Sequence, residues 1–410
     1  MRATDRASTP NAAKKMTNKI TSRTPTKRKS SRPGTDVNSG PPGSAPLSLA
    51  ELRARRLCAQ GLAPRWLGGA LLPAVQAVVG VNAQLLSAMA LSLRARVAGL
   101  TWEALEASRG QARDLVRTWC MRGTLHLLPA AELEALLAAI SPNDVAAAWR
   151  WLEKRAGLAG ARARRVVDTS YEVLKRAGPL PRRALMDAVS AEVGFETQPA
   201  AAGVVFLNGM LGRVCFGPLD GAEPTYAALD DWLGRPVRLA GSPDHVALAR
   251  RYLHGYGPAT PRDFAAWWGL SLGEAKAAWA GLGAELVEFQ VDGQALWLLA
   301  ADAQALPDTV LSVRLLPAFD TYLLGYAARE FAVPKPYQKH IFHGGQVVPT
   351  VLVDGLAAGT WHYEQRGGQM RIAVTPFAKF SRAERELIAD EAEDIARFYA
   401  AQAALSFTSL

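Results

Sequence analysis

The stretch QARDLVRTWCMRGTLHLLP, residues 111–129, decides the fold. Its first part, through Gly123, reads as a helix, and the apolar TLHLLP (124–129) reads as a strand. Just upstream, TWEALEASRG (101–110) reads as another helix, with Thr101 as its N-cap. Helix, helix and then a short strand is the order of a winged helix-turn-helix.

The pattern recurs downstream. ARRVVDTSYEVLKRAG (163–178) is helical, GPLPRRALMDAVSAEVG (178–194) reads as a turn plus a helix, and AAGVVFLNGMLGRVCFGP (201–218) as a helix and a strand. A third copy starts at DHVALARRYLHGYG (244–257) and ends in ELVEFQVDGQALWLL (285–299), two strands joined by Asp292-Gly293. The starts GPLP and GPAT-P echo each other, and repeated supersecondary units point to an array. Upstream, SLAELRARRLCAQGL reads as a helix ending at Gly61, and two more helices are expected across 70–97 with a break near Gly80. Beyond residue 305 the style changes to strands, with Asp354-Gly355 and Gly367-Gly368 as turns. An amphipathic helix closes the chain; Ser381 and Glu384 form its capping box, and Leu387, Ile388, Ile395 and Phe398 its apolar stripe.

The expected fold is therefore α+β, mainly α. A basic tail (1–46) precedes winged-helix regions at 47–162, 163–243 and 244–305. A small C-terminal β-sheet or barrel domain (306–380) and a terminal helix (381–410) follow.

Composition narrows the class. At 49% apolar and 20% charged residues, most of the 410-residue chain can bury real cores. No apolar stretch has the length and freedom from polar groups of a membrane span. Cys58, Cys120 and Cys215 lie far apart, which argues against a zinc ribbon and against a disulfide-stapled secreted fold. A reduced, cytoplasmic protein is the expectation. The net charge is +10, but residues 1–46 carry ten Lys or Arg against Asp5 and Asp36, which leaves only +2 for the body. The tail cannot bury enough surface to order itself. It reads as a loose arm adding nonspecific DNA affinity, with a transit peptide or translation from Met16 as the other readings. Basic surface on the body must come from local clustering.

One further segment raises a chemical question. Within GGALLPAVQAVVGVNAQLLSAMALSLRARV (68–97) stand two primary amides, Asn82 and Gln84, one position apart in an apolar run. Burying an unpartnered amide costs on the order of 1–3 kcal/mol. They either cap backbone amides at a helix junction or belong to a site.

A resemblance favours the second reading. The strings RTWCMRGTLHLLP, LLPAFDTYLLGY and VVPTVLVDGLAAGTW, in this order, resemble the winged-helix DNA-binding family of AlkZ/YcaQ-type DNA glycosylases, with the likeness spanning roughly residues 47–400. The resemblance implies three tandem winged helices with a C-terminal β-domain, and excision of bulky N-alkylated or crosslinked bases from duplex DNA. It also implies a catalytic Gln–apolar–Gln signature, matched here by Asn82, Ala83 and Gln84, with the first amide one methylene shorter.

Amides suit that chemistry. A base alkylated at a ring nitrogen already carries positive charge and leaves without general-acid help, unlike an ordinary glycoside. What remains is to place a water beneath C1′ and steady the sugar, and an amide can accept from water while donating to phosphate. No metal or organic cofactor is expected. Gln84 is read as holding the water and Asn82 as anchoring the sugar-phosphate. Asp320 is a candidate acid facing the positive sugar or phosphate-facing arginines, or else a structural partner of a turn. Arg94, Arg96, Arg122, His126 and Arg213 are candidate DNA contacts. Tyr322, Tyr326, Trp149, Trp151 and the pair Trp267-Trp268 read as packing, and His340 with His343 as surface residues rather than metal ligands. The competing function is a noncatalytic winged-helix DNA-binding protein. A ligand-sensing regulator fits less well, since such proteins usually carry one winged helix per subunit and dimerise. Three copies in one chain point to a monomer clamped on double-stranded, alkylated DNA.

Overall fold

The computed structural model describes residues 45–239, 241, 243–304 and 311–409. Residues 1–44, which hold nearly all of the basic tail, lie outside the described residues. Ala45 and Pro46 do not behave as tail: they form β1 (Ala45–Pro46), paired in parallel with Phe289 and Gln290 of the third repeat. Next comes α1 (Leu49–Ala59), started by a capping box between Ser48 and Glu51.

Three successive units then share one order: helix, short strand, helix, helix, hairpin. The first comprises α2 (Leu71–Ala77), β2 (Val81–Asn82), α3 (Leu86–Arg96), α4 (Trp102–Ala107), β3 (Leu115–Trp119) and β4 (Leu125–Pro129). Linking helices α5 (Leu133–Ala138) and α6 (Pro142–Ala156) lead to the second. That unit has α7 (Gly160–Ala177), β5 (Leu180–Pro181), α8 (Arg182–Val193), α9 (Ala201–Met210), β6 (Val214–Asp220) and β7 (Glu223–Ala228), followed by α10 (Leu229–Leu233). The third has α11 (His245–Tyr256), α12 (Pro261–Trp268), α13 (Leu272–Leu282), β8 (Leu286–Val291) and β9 (Gln294–Leu299). In the first two units the short strand lies against the second strand of the hairpin. The sheet orders are β2-β4-β3 and β5-β7-β6, and in the third unit a bridge from Ala259 to Trp297 takes the place of the short strand. The repeat seen in sequence is thus a repeat of topology.

The C-terminal part holds β10 (Val313–Leu316), α14 (Thr321–Leu324), α15 (Gln338–Ile341), β11 (Phe342–His343), β12 (Gln346–Val347), β13 (Thr350–Val353), β14 (Leu356–Arg366), β15 (Gln369–Pro376), α16 (Arg382–Phe398) and β16 (Gln402–Phe407). Its main sheet runs β10-β13-β14-β15-β16. The turns expected at Asp292-Gly293, Asp354-Gly355 and Gly367-Gly368 all have positive φ at both residues, the type I′ geometry that suits tight hairpins.

Two sequence expectations are corrected. QARDLVRTWCMRG is not a helix: α4 ends in a π-helical turn (Ser108–Ala112), and Leu115–Trp119 is a strand. Tertiary packing decides this, because the second unit uses the strand's exposed face. Trp119 lies 5.3 Å from the ring of Phe216 and stacks on Tyr226 at 6.4 Å, the Arg117 guanidinium covers Phe216 at 4.2 Å, and the Thr118 hydroxyl donates to Val214 O at 2.8 Å. Burying one such aromatic contributes about 1.5–3 kcal/mol, enough to override the weak local preference of a short segment. The closing helix is real, with its Ser381/Glu384 capping box, but the chain then turns back and adds β16 in parallel to β15.

Candidate active site

The site begins at the end of α2. Val79 N donates to Gln76 O (3.0 Å) and Gly80 N to Val75 O (2.9 Å), the two bonds of a Schellman ending. The left-handed position falls on Val79, with φ of 54°, a conformation that costs a β-branched residue roughly 1–2 kcal/mol. Gly80 follows with φ of 100°, and a Cβ there would stand 2.6 Å from Leu128 Cδ2. These two residues swing the chain against β4, so that Val81 pairs with Leu127 and Asn82 with His126.

Both amides of Asn-Ala-Gln have jobs in this turn. Asn82 Oδ1 accepts from Gln84 N at 3.2 Å, and Gln84 Oε1 accepts from Leu125 N at 3.0 Å. The second bond extends the β2–β4 ladder past Ala83, whose own N–H donates to Leu125 O at 2.8 Å. Arg117 clamps the turn from below, donating through Nε and Nη2 to Ala83 O at 3.0 and 2.8 Å. Each amide oxygen therefore satisfies a backbone N–H, and each keeps its NH2 and a second lone pair for other partners.

The two side chains face different surroundings. Gln84 is exposed, whereas Asn82 is buried and lines a small cavity together with Gly80, Arg122, His126, Trp267 and Thr321. The cavity has room for about one water molecule. It lies where the first unit, the third unit and the segment around α14 meet. Arg122 sits at the tip of the β3–β4 hairpin with φ of 56°, and its guanidinium donates to Ala266 O at 2.9 Å and to Trp267 O. His126, 3% exposed, has Nδ1 at 3.0 Å from Thr124 O. Burial, reinforced by the Arg122 charge, pushes its pKa down to about 3, so the ring is neutral. A buried, neutral ring in a strand ladder is not a phosphate contact, so His126 belongs to the cavity.

Beyond Arg122 the cavity adjoins a wider open groove. Arg122, Arg262 and Arg329 stand on it above Leu270, Leu272 and Leu324, and none of the three arginines has a carboxylate ion pair among the described residues. Arg262 and Arg329 went unnoticed in the sequence because PRDFAAWW and GYAARE carry no basic cluster; only folding brings them together.

Other predicted site residues lie elsewhere. Arg94 and Arg96, expected on a DNA-facing surface, are wholly buried on α3. Arg94 pairs with Glu391 and Asp394 of α16, both at 3.0 Å, alongside Arg65. Arg96 makes a bidentate pair with Asp320, and Asp320 also accepts from Ser92 Oγ (2.7 Å) and caps α14 through Tyr322 N (2.9 Å). Asp320 is thus the structural partner of a turn rather than an acid facing the sugar. Arg213 is half-exposed on the second unit and paired with Asp168 at 2.7 Å. Tyr322 and Tyr326 are buried, and His340 packs near Phe377. Among the described residues no group of three or more His, Cys, Asp or Glu could hold a metal, and no helix is long and apolar enough to cross a membrane.

The comparisons with known proteins agree with this architecture. A relative from Streptomyces sahachiroi, an interstrand DNA cross-link repair glycosylase, is 29% identical over 335 residues, covering 78% of this chain and 88% of its own length. The solved structure of Streptomyces sahachiroi DNA glycosylase AlkZ superposes with a TM-score of 0.72 at 25% identity, over 88% of this chain and all of that one. The family model for DNA glycosylase AlkZ-like proteins matches residues 75–398, a span holding the Asn-Ala-Gln turn, the cavity and the arginine groove. The chain belongs to the AlkZ-like DNA glycosylase family.

Proposed function

We propose that this protein hydrolyses the N-glycosidic bond of bulky N-alkylated bases in duplex DNA, including crosslinked ones, as a monomer whose three repeated units are winged helices. The observation that carries the reading is the buried carboxamide of Asn82 on the wall of a water-sized cavity, inside the region matched by the family. In this reading the two roles expected from sequence are exchanged. Asn82 faces the cavity and orients the water, while the exposed NH2 of Gln84 is the donor to sugar or phosphate.

A positively charged leaving base needs no acid, so the protein's task is positioning. The rigid turn supplies it: four bonds between the backbone and the side chains of Asn82, Gln84 and Arg117 leave the amides little freedom. The groove of Arg122, Arg262 and Arg329 supports the reading by offering unpaired positive charge beside the cavity, where the DNA backbone would run. Bidentate pairing of guanidinium with phosphate is the interaction such a groove provides.

A noncatalytic lesion binder is the second reading, favoured by the fact that both amide oxygens already serve backbone N–H groups. Incubation with duplex DNA carrying N7-alkylguanine, followed by chromatography of free base, decides between them. Release of the alkylated base is expected. Tight binding to the same duplex without release rejects the glycosylase.

A further inference from the structure

Neither amide can take the proton that the attacking water must shed, so the mechanism above leaves one role open. We infer that His126 is the catalytic residue that accepts this proton through Nε2; the inference rests on the glycosylase reading.

Three geometric facts converge on it. His126 is the ladder partner of Asn82, so the ring and the carboxamide are held side by side by the β2–β4 pairing rather than by flexible loops. Both line the same cavity. The Nδ1–Thr124 O contact then fixes the tautomer: a carbonyl only accepts, so Nδ1 carries the hydrogen and Nε2, across the ring, carries a lone pair. Nε2 makes no hydrogen bond to another described residue. Among the described residues Arg122 is the one charged residue on the cavity wall, and burial, reinforced by its charge, keeps the ring unprotonated at neutral pH.

The step balances as follows. The C1′–N bond breaks and its electron pair passes to the base nitrogen, discharging the positive charge there. The water oxygen bonds to C1′ and becomes an oxonium, a far stronger acid than water. Its proton moves to Nε2 and then to bulk solvent. A weakly basic imidazole suits this sequence, because it accepts from an oxonium and releases the proton readily. It would be a poor base toward neutral water, which a dissociative reaction does not need.

Two substitutions separate this role from a structural one. His126→Asn keeps a donor able to reach Thr124 O but has no acceptor at the Nε2 position; His126→Gln places Oε1 near Nε2 and loses the inner donor. Single-turnover excision on an N7-alkylguanine duplex should fall by roughly 10²–10³ for both, because the His126→Gln carboxamide accepts a hydrogen bond at the Nε2 position but, like Asn82 and Gln84, cannot take up the proton. Activity within about 10-fold of wild type in either variant, or losses that track thermal stability, overturns the inference while leaving the glycosylase reading intact. A wild-type protein that releases no base rejects both. A second readout does not depend on turnover: ¹⁵N-histidine NMR with a duplex bearing a pyrrolidine abasic analogue, a mimic of the cationic sugar. The Nδ1–H neutral tautomer is expected between pH 5 and 8, with the Nε2 resonance displaced by the analogue. A protonated ring, the Nε2–H tautomer or an unmoved Nε2 overturns the assignment.

Discussion

Arg96 and Asp320 meet in two parallel bonds of 2.8 Å each, with both side chains wholly out of solvent. The pair joins α3, which follows the Asn-Ala-Gln turn, to the start of α14, whose Thr321 lines the cavity. The guanidinium also donates to Gln60 and Thr321 at 3.1 and 2.8 Å, and to Ser92 O and Oγ at 2.9 Å each. A buried pair of this kind holds geometry, and breaking it strands a charge. Asp320→Ala should therefore cost about 3–5 kcal/mol in denaturant unfolding. Excision at saturating protein well below the unfolding transition should change far less than for Gln84→Ala. A stable Asp320→Ala protein with no excision would return Asp320 to the chemistry.

Acid should loosen the same contacts. Burial raises the pKa of Asp320 and Glu391, but Arg96 and its companions around the first, and Arg94, Arg65 and Arg314 around the second, outweigh burial and hold both carboxyls below their ordinary range. A carboxyl depressed in the folded state contributes stability above its unfolded pKa of about 4 and loses it as pH falls through the folded value. Unfolding free energy should begin to decline below about pH 6.5, where an unfolded histidine takes up a proton that buried His126 refuses, and fall more steeply below pH 4 as the two carboxyls are protonated. Urea titrations at fixed ionic strength check this, and a stability that rises on acidification would contradict the ion-pair assignment.

Gln84→Ala removes an exposed amide whose oxygen holds Leu125 N. The lost bond should cost only about 0.5–1.5 kcal/mol of stability. If the NH2 also positions the substrate, single-turnover excision should drop roughly 10²–10³-fold, as loss of one well-aimed polar group does elsewhere, with little change in duplex affinity. Full activity in a mildly destabilised protein would leave Gln84 as a ladder extension alone.

DNA affinity should reside in the groove. Arg262→Glu and Arg329→Glu should weaken duplex binding more than 10-fold, and the neutral Arg262→Ala should lower the salt slope of binding by about one. Arg382→Glu, on an exposed residue paired with Glu386, should leave binding within about 2-fold. Similar losses at both places would argue against a localised DNA track.

Gly80→Ala tests the backbone of the site. The substitution meets Leu128 Cδ2 at 2.6 Å and Leu127 O at 3.2 Å, at φ of 100°. Relief requires β2 to move away from β4, which carries Asn82 off His126. A stability loss of about 1–3 kcal/mol is expected with a disproportionate loss of excision, measured by thermal melting and single turnover.

Much of this protein could be read from its sequence, for local reasons. Helix caps such as Ser381/Glu384 and the three two-residue turns depend on side chains within a few positions, and the structure keeps them all. The repeat order and the Asn-Ala-Gln motif were likewise visible as strings. Tertiary structure decided the rest. Leu115–Trp119 became a strand because the rings of Phe216 and Tyr226, a hundred residues away, cover Trp119. Arg94 and Arg96 turned from candidate DNA contacts into buried clasps because Glu391, Asp394 and Asp320 reach α3 only in the folded chain. His126 came to stand beside Asn82 through strand register, and Arg262 and Arg329 joined Arg122 through the meeting of the third unit with the segment after α14. Propensity and capping act over a few residues, whereas burial, ion pairing and the composition of a cavity depend on which distant segments share a surface.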